Sequence, residues 1–463
     1  MNILLISTNS EKGYPYPVAP VGIGYVNYYF EKEGHNVRLL DLCFLKKDEY
    51  KVKIAEEVAR VETDAILLSI RNLDNCLYPN TIEYVTHNVE VVKIIKSAAH
   101  CPLIAGGIAI RLGGSELIDA LDVDWGYMGR ASNNMIVGIE RIIRNENVDG
   151  VDGFVKKGSL YHPKEYEYDG YGVDYHIYER IDIKSYLRSG GVIGIQTKYG
   201  CDLNCIYCTY PIIEGKKIVC YAPEQIVDTI EYLKKTYDIN FFEFADSTFN
   251  YPAEHAKEIM RLMIKRKIDV GWSAFISPKN CDCEFLELCK MSGCTGIDFG
   301  VDSGSDKMLA ALRKAFTSKD IVEASNIASR LDLAVCYNLV LGGPGEDEKT
   351  LEESFSLFDR YKNSVVSAYS AIRIYKGTEL EKIAREEGKV NGSLLYPQFY
   401  ISDNIVESVN NILMAHRKAH PTWMLRGITK PPSIECIKRF GLNRKSPLWT
   451  EKVKKYNGSS RTK

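Results

Sequence analysis

No stretch of this 463-residue chain approaches the roughly 20 consecutive apolar residues that a bilayer span requires. Its start is apolar over residues 1–7, but lacks the basic flank and small-residue cleavage site of a signal peptide. A cytoplasmic protein with no membrane partner is expected. Charge of one sign is also lacking. The 59 Lys and Arg against 61 Asp and Glu leave a net charge of -2, which argues against nucleic acid as an obligatory partner. There is no internal repeat and no low-complexity segment. The 13 cysteines are odd in number and unevenly spread. Metal ligation in a reducing compartment fits that pattern better than a disulfide framework.

The length predicts two or three domains, and the order of elements divides them. Residues 1–150 alternate strand and helix, with strands expected at 2–7, 36–42, 65–70, 103–105 and 125–129. Helices are expected at 22–32 and 50–61. Repeated strand–helix–strand order predicts an α/β, doubly wound, Rossmann-like parallel sheet. Ligands of such sheets lie beyond the carboxyl ends of the strands, here in residues 8–20, 71–75, 106–109 and 129–131. Residues 151–190 read as a linker with a small hairpin. Its seven tyrosines from Tyr161 to Tyr186 are expected to pack the domain seam.

Alternation resumes over residues 191–385, with strands expected at 192–196, 241–245, 270–274, 296–300, 334–341 and 367–374. Six such units predict a partial (β/α)6 barrel with its chemistry at the carboxyl ends. Residues 386–463 form a small C-terminal region, in which 392–402 is expected to cover the barrel mouth. The tail after Arg426 holds ten Lys or Arg against Glu435 and Glu451, and reads as solvated and partly disordered.

The sharpest signal is Cys201-Asp-Leu-Asn-Cys205-Ile-Tyr207-Cys208, directly after the first strand of the second half. Three thiolates this close can hold three irons of a cubane cluster. With no fourth cysteine in register, one iron stays open to chelate an amine and a carboxylate. The alternatives are a zinc knuckle, which usually shows paired CxxC halves, and three buried cysteines with no ligand.

The motif, with aromatic Tyr207 before its third cysteine, resembles that of the radical S-adenosylmethionine (SAM) superfamily. Further matches follow in the family's order. The run from Phe241 to Asp246 looks like the second barrel strand, where Glu243 or Asp246 would approach the methionine amine. Gly300-Val-Asp302-Ser303-Gly304 resembles the fourth-strand GxES motif that holds ribose, with Asp302 where Glu is commoner. Leu341-Gly342-Gly343-Pro-Gly345-Glu346 resembles the fifth-strand loop near adenine, and Ile374-Tyr-Lys376-Gly377-Thr378 the sixth-strand turn. The resemblance implies a 4Fe-4S cluster on Cys201, Cys205 and Cys208. It also implies SAM cleaved reductively, and an electron donor such as flavodoxin or ferredoxin.

Pro20-Val-Gly-Ile-Gly-Tyr25, then Gly34-His-Asn-Val and Asp41, resembles the cobalamin-binding domain that precedes many of these barrels. The DxHxxG signature is absent; Asp174-Tyr-His176 is followed by Glu179 instead of glycine. This omission resembles the class whose cobalt takes no histidine from the protein. Cobalamin is the third cofactor implied. In that frame Arg71 and Asn72 lie under the corrin ring. Arg71, lacking a lone pair, keeps the lower face free of donors and favours Co(I), or else pairs with Asp74 or a corrin amide. Gly106, Gly107 and Gly129 would let backbone approach the nucleotide tail. A second cluster on Cys43, Cys76 and Cys101, as in methylthiotransferases, is not supported. No cysteine occurs in residues 8–18 and no RNA-binding barrel follows. Cys281, Cys283, Cys289 and Cys294 are either an auxiliary site or buried small residues.

The expected activity is cobalamin-dependent radical SAM methyl transfer to a carbon of a small-molecule or peptide substrate, by a radical or a polar route. A cyclase or ring-rearranging enzyme on the same frame is the alternative. From another class, a cobalamin-binding sensor or electron carrier would need no SAM pocket.

Overall fold

The computed structural model describes residues 1–11, 16–159, 172–440 and 444–458. They form two compact units. The first comprises Met1–Asn75, Ile82–Tyr186 and Gly392–Pro397, the second Cys76–Thr81, Leu187–Asn391 and Gln398–Lys463.

In the first unit the apolar runs form β1 (Asn2–Ser7), β2 (Asn36–Asp41), β3 (Ala65–Ser69), β4 (Leu103–Gly106) and β5 (Trp125–Tyr127). These pair in parallel in the order β2-β1-β3-β4-β5. Both faces are covered, so the strands are apolar at nearly every position rather than at alternate ones. Ile3, Leu5, Ala65, Leu67 and Ile104 pack with helices Val21–Lys32 and Asn133–Ile143. Leu4, Ile6, Ile66 and Leu68, of opposite parity, are equally buried.

The expected linker is corrected in part. It supplies β6 (Phe154–Lys156), which pairs antiparallel with β5 and closes the sheet edge. Tyr161, Tyr166, Tyr168 and Tyr171 lie outside the described residues. Of the others, Tyr178 is fully buried and Tyr186 donates to Asp41 Oδ2 at 2.6 Å. Tyr186 thus bonds within the first unit.

The second unit holds seven parallel strands where six were expected. They are β7 (Gly194–Ile195), β10 (Phe241–Phe244), β11 (Gly271–Ile276), β12 (Cys294–Asp302), β13 (Val335–Val340), β14 (Ser364–Tyr369) and β17 (Trp423–Leu425). Their spatial order is their chain order, as successive strand–helix units dictate. Two short antiparallel ladders accompany them, β8 (Lys198–Tyr199) with β9 (Val219–Cys220) and β15 (Ile372–Arg373) with β16 (Phe399–Tyr400). The strand expected at 367–374 is therefore two strands, broken at Ser370 and Ala371. Residues 392–402, expected to cover the barrel mouth, divide. Gly392–Pro397 belongs to the first unit, where a Leu395 methyl lies beside Gly113. Phe399 and Tyr400 extend β15.

The basic tail is not a solvated appendage where it is described. Helix Thr450–Gly458 and the segment before it pack on the second unit, with Val453 and Trp449 against Cys336 and Val365. Trp449 also donates to Asp298 Oδ2 at 3.3 Å. Most charges of the tail are exposed, but Arg444 is buried with the apolar side chains, and burial holds the Lys452 ammonium below its ordinary value.

Asp298 lies on the face of β12 opposite the helices, where Asn338 donates to it at 3.3 Å. Burial, with Glu243 next, pushes its carboxyl up to about 7. The folded value thus exceeds the ordinary value of about 4, so the native chain binds more protons than the unfolded chain between those limits. Stability from this group is full below pH 4 and is lost as pH rises toward 7. Asp298→Asn should flatten the pH dependence of the urea midpoint across that window. Trp449→Ala should lower stability at every pH, by roughly 3 kcal/mol.

Candidate active site

The cysteine loop leaves β8 with no ladder to satisfy its backbone, and the chain supplies partners from elsewhere. Gly200, at φ +89°, lies where a Cβ would meet Lys217 O at 2.0 Å, so only glycine fits before Cys201. Its N–H donates to Glu214 Oε2 at 3.1 Å, and Gln196 Nε2 holds the other Glu214 oxygen at 2.9 Å. Cys201 N donates to Gly215 O, Ile206 N to Leu312 O and Cys208 N to Cys205 O. Leu380 N donates back to Ile206 O at 2.8 Å. The loop is thus fastened to three separate parts of the second unit.

Cys201 is buried, and Cys205 and Cys208 are partly so. All three are free thiols. Burial pushes the Cys208 thiol up to about 12, with the backbone N–H of Tyr210 opposing it. Among the described residues, the donor group gathered within 4.8 Å is a different one, Asp359, His416 and His420.

Asp246, expected to approach a methionine amine, is spent on the scaffold. Its Oδ1 accepts from Thr197 N at 2.8 Å and its Oδ2 from Thr197 Oγ1 at 2.7 Å. This ties the end of β10 to the strand that leads into the cysteine loop. Glu243, three residues earlier and within β10, lies on the open face of the sheet beside Asp298.

Asp302 ends β12 at a register shift, with φ +65°, a conformation that Asp adopts more readily than most residues. Its Oδ2 accepts from Tyr207 OH at 2.5 Å and meets Lys314 Nζ at 2.8 Å. Burial opposes the Lys314 charge, yet Asp302 and then Cys205 outweigh it and raise the ammonium above its ordinary value. Lys314 thereby becomes a buried cation beside the thiols. No motif marked it in the sequence.

Ser303, expected at a ribose, is buried, and its Oγ pairs with Ser354 Oγ and with the N–H of Ser305, both at 3.1 Å. Gly342 and Gly343 both donate their N–H groups to Glu346 Oε2, at 2.5 and 3.2 Å. Burial pushes the Glu346 carboxyl up to about 7 against those two donors. The fifth-strand loop is therefore closed on itself.

In the first unit Arg71 Nη1 lies 3.0 Å from Glu11 Oε2, and Asn72 Nδ2 donates to Glu11 Oε1 at 2.8 Å. Arg71 pairs with Glu11 in place of the alternative partner Asp74. Gly107, at φ +102°, would set a Cβ 2.4 Å from Ile70 O, and a Cβ on Gly129 would meet the Tyr127 ring. Those glycines answer to the chain's own packing, whereas Gly106 has ordinary contacts only. The near-signature pair is also accounted for. His176 Nδ1 lies 2.7 Å from Asp174 Oδ1 and its ring stacks on Tyr28.

Of the four later cysteines, Cys281, Cys289 and Cys294 neighbour one another while Cys283 stands apart. Cys283 is exposed beside Glu287, Cys281 donates to Ser277 O at 3.1 Å, and Cys289 and Cys294 are buried. Burial first, then the hydrogen-bonded Cys294, holds the Cys289 thiol far above its ordinary value.

The model of the Radical SAM superfamily matches residues 195–358, and this part of the chain belongs to that superfamily. Membership implies a 4Fe-4S cluster and SAM. Beyond the matched segment, the chain shares its fold with a structure of the radical SAM methyltransferase TsrM from Kitasatospora setae with cobalamin and 4Fe-4S cluster bound. The two are 19% identical, with a TM-score of 0.83 over 99% of each chain. A cytidylyl-2-hydroxyethylphosphonate methyltransferase of Streptomyces wedmorensis is 21% identical over 80% of this chain and 79% of its own. An uncharacterized methyltransferase of Pyrococcus horikoshii is 24% identical over 45% of each, so this chain spans less than half the length of that relative.

The buried pair gives a test that needs no cofactor. Removing one partner of a buried ion pair leaves an uncompensated charge. Asp302→Asn and Lys314→Met should each cost about 3 kcal/mol in denaturant unfolding, and the double variant less than their sum. A coupling near zero would show that Tyr207 and solvent already satisfy both groups.

Proposed function

We propose that this chain is a cobalamin-dependent radical SAM methyltransferase that moves a methyl group from SAM to a carbon of a small-molecule or peptide substrate. The observation that carries the reading is the cysteine loop. Three free thiols lie on a loop fastened beside a buried cation. Full-length likeness to TsrM and the two methyltransferase relatives support the methyl-transfer part. When bound, the cluster supplies the electron for SAM cleavage and cobalamin carries the methyl group.

In this reading Cys201, Cys205 and Cys208 hold the cluster, and an electron donor such as flavodoxin or ferredoxin reduces it. Tyr207 and Asp302 keep Lys314 oriented, and Lys314 offsets the negative charge that three thiolates bring into a buried loop. Glu243 and the loop around Gly342 and Gly343 bound the SAM pocket. Arg71 and Asn72 border the cobalamin, with Gly106, Gly107 and Gly129 along its tail. Glu11 has a part the sequence did not show. It fixes Arg71 through one oxygen and Asn72 through the other. A guanidinium so held presents no lone pair.

Anaerobic reconstitution should give about four irons per chain, all lost when Cys201, Cys205 and Cys208 are replaced together by alanine. Four irons in that triple variant would refute the assignment. Incubation with methyl-labelled SAM and a pool of small molecules should put the label in product carbon. Rearranged product without label would favour the cyclase, and neither product nor 5′-deoxyadenosine the sensor.

Arg71→His introduces a nitrogen donor when its imidazole is neutral. It should shift bound cobalamin toward the absorption of a five-coordinate form and slow cobalt methylation about tenfold, roughly 1.4 kcal/mol. An unchanged spectrum in that variant would remove Arg71 from the lower face.

A further inference from the structure

Helix Val409–Ala419 carries His416 in its last turn, and His420 follows one turn later. Residues four apart share a helix face, and both rings turn toward Asp359, which ends helix Glu348–Phe358. His416 Nε2 lies 3.1 Å from Asp359 Oδ2, and His420 Nδ1 lies 3.3 Å from Asp359 Oδ1. Trp423 Nε1 donates to Asp359 Oδ1 at 2.9 Å and fixes the carboxylate. His416 is gripped between Phe355 and His420, with ring centroids at 3.9 and 4.3 Å. Its Nε2 is buried and closes no hydrogen bond, since the nearby carboxylate oxygen lies off the required direction. A buried nitrogen without a hydrogen bond is costly unless something else fills its lone pair.

We propose that Asp359, His416 and His420 bind one divalent transition-metal ion, of which zinc is the probe. Two neutral imidazoles and a carboxylate are the donors that zinc and its neighbours take. At metal–ligand lengths of about 2.1 Å, each His–Asp spacing subtends roughly 100° at a shared ion, within the range of tetrahedral sites. Trp423 does for Asp359 what outer hydrogen-bond partners do for ligating carboxylates. The two rings are stacked within 8° of parallel, so one must turn to bring both lone pairs to one ion. His420, with 38% of its side chain exposed, has room to do so and leaves an entry path.

The ion's role is structural. Asp359 precedes β14 and His420 precedes β17, so the group lies by the amino ends of these strands. The cysteine loop and Gly342 follow the carboxyl ends of theirs. A metal there joins two helices and pins β17, the last strand, to the sheet.

The test uses the chain reconstituted with its cluster, dialysed against zinc and then passed through a desalting column. About one zinc per chain should remain, with nitrogen and oxygen ligands and imidazole scattering in the zinc K-edge absorption spectrum. The thermal midpoint should rise by several degrees and fall back on brief EDTA treatment that leaves the visible cluster absorption intact. His420→Gln, at a half-exposed position that should fold, and Asp359→Asn should each weaken zinc binding about tenfold or more. Sulfur ligands in the spectrum, no retained zinc, or equal retention in both variants would overturn the proposal and leave a carboxylate–imidazole ion pair.

Discussion

The cysteine loop depends on one carboxylate. Asp302 is held at the end of β12 in a left-handed conformation, and its Oδ2 gathers Tyr207 and Lys314. Tyr207 sits between Cys205 and Cys208, so this contact fixes the loop at its tightest turn. Lys314 brings a positive charge to thiols that would otherwise repel one another when ionised. Neither group would stay buried alone, because an unpaired charge in such surroundings costs several kcal/mol. The strand end, the loop and the cation therefore stand or fall together.

The loop's other anchors follow from the same need. A segment without ladder partners must satisfy its backbone by other means, and Glu214, Gly215, Leu312 and Leu380 do so. Asp246 completes the arrangement from beneath by binding Thr197 and Lys198 just before the loop. Its role is mechanical. A carboxylate that already accepts from three donors has little capacity left for a ligand amine.

What the sequence made legible follows from locality. Cys201, Cys205 and Cys208 stand within eight residues, so their chemistry shows in the linear order. The two parallel sheets were legible because buried parallel strands are unbroken apolar runs. Lys314 and Glu214 were not, since each acts through a partner distant in the chain or outside any motif. Glu11 was invisible for the same reason: only the fold brings it to Arg71. β17 is three residues long and lies in a segment whose charges dominate its composition, so periodicity could not reveal it. The tail misled for a related cause. Ten basic residues outweigh Trp449 and Val453 in any average, yet those two side chains decide where it packs.

Asp298 shows why the open face of the second sheet differs from its helix face. On the helix face, Phe299 and Tyr337 are buried among aromatic neighbours, and the Tyr337 hydroxyl is satisfied by Ser325 Oγ at 2.8 Å. On the other lie Asp298, Glu243 and Asn338. Burial and Glu243 push the Asp298 proton affinity up to about 7, so near neutral pH its charge opposes folding. Trp449 and Asn338 offset part of that cost by donating to it. The two donors come from different directions, one from the tail and one from β13. Docking of the tail thus does more than fill a gap. It supplies one of the hydrogen bonds that let a carboxylate persist on the face where the second unit keeps its polar side chains.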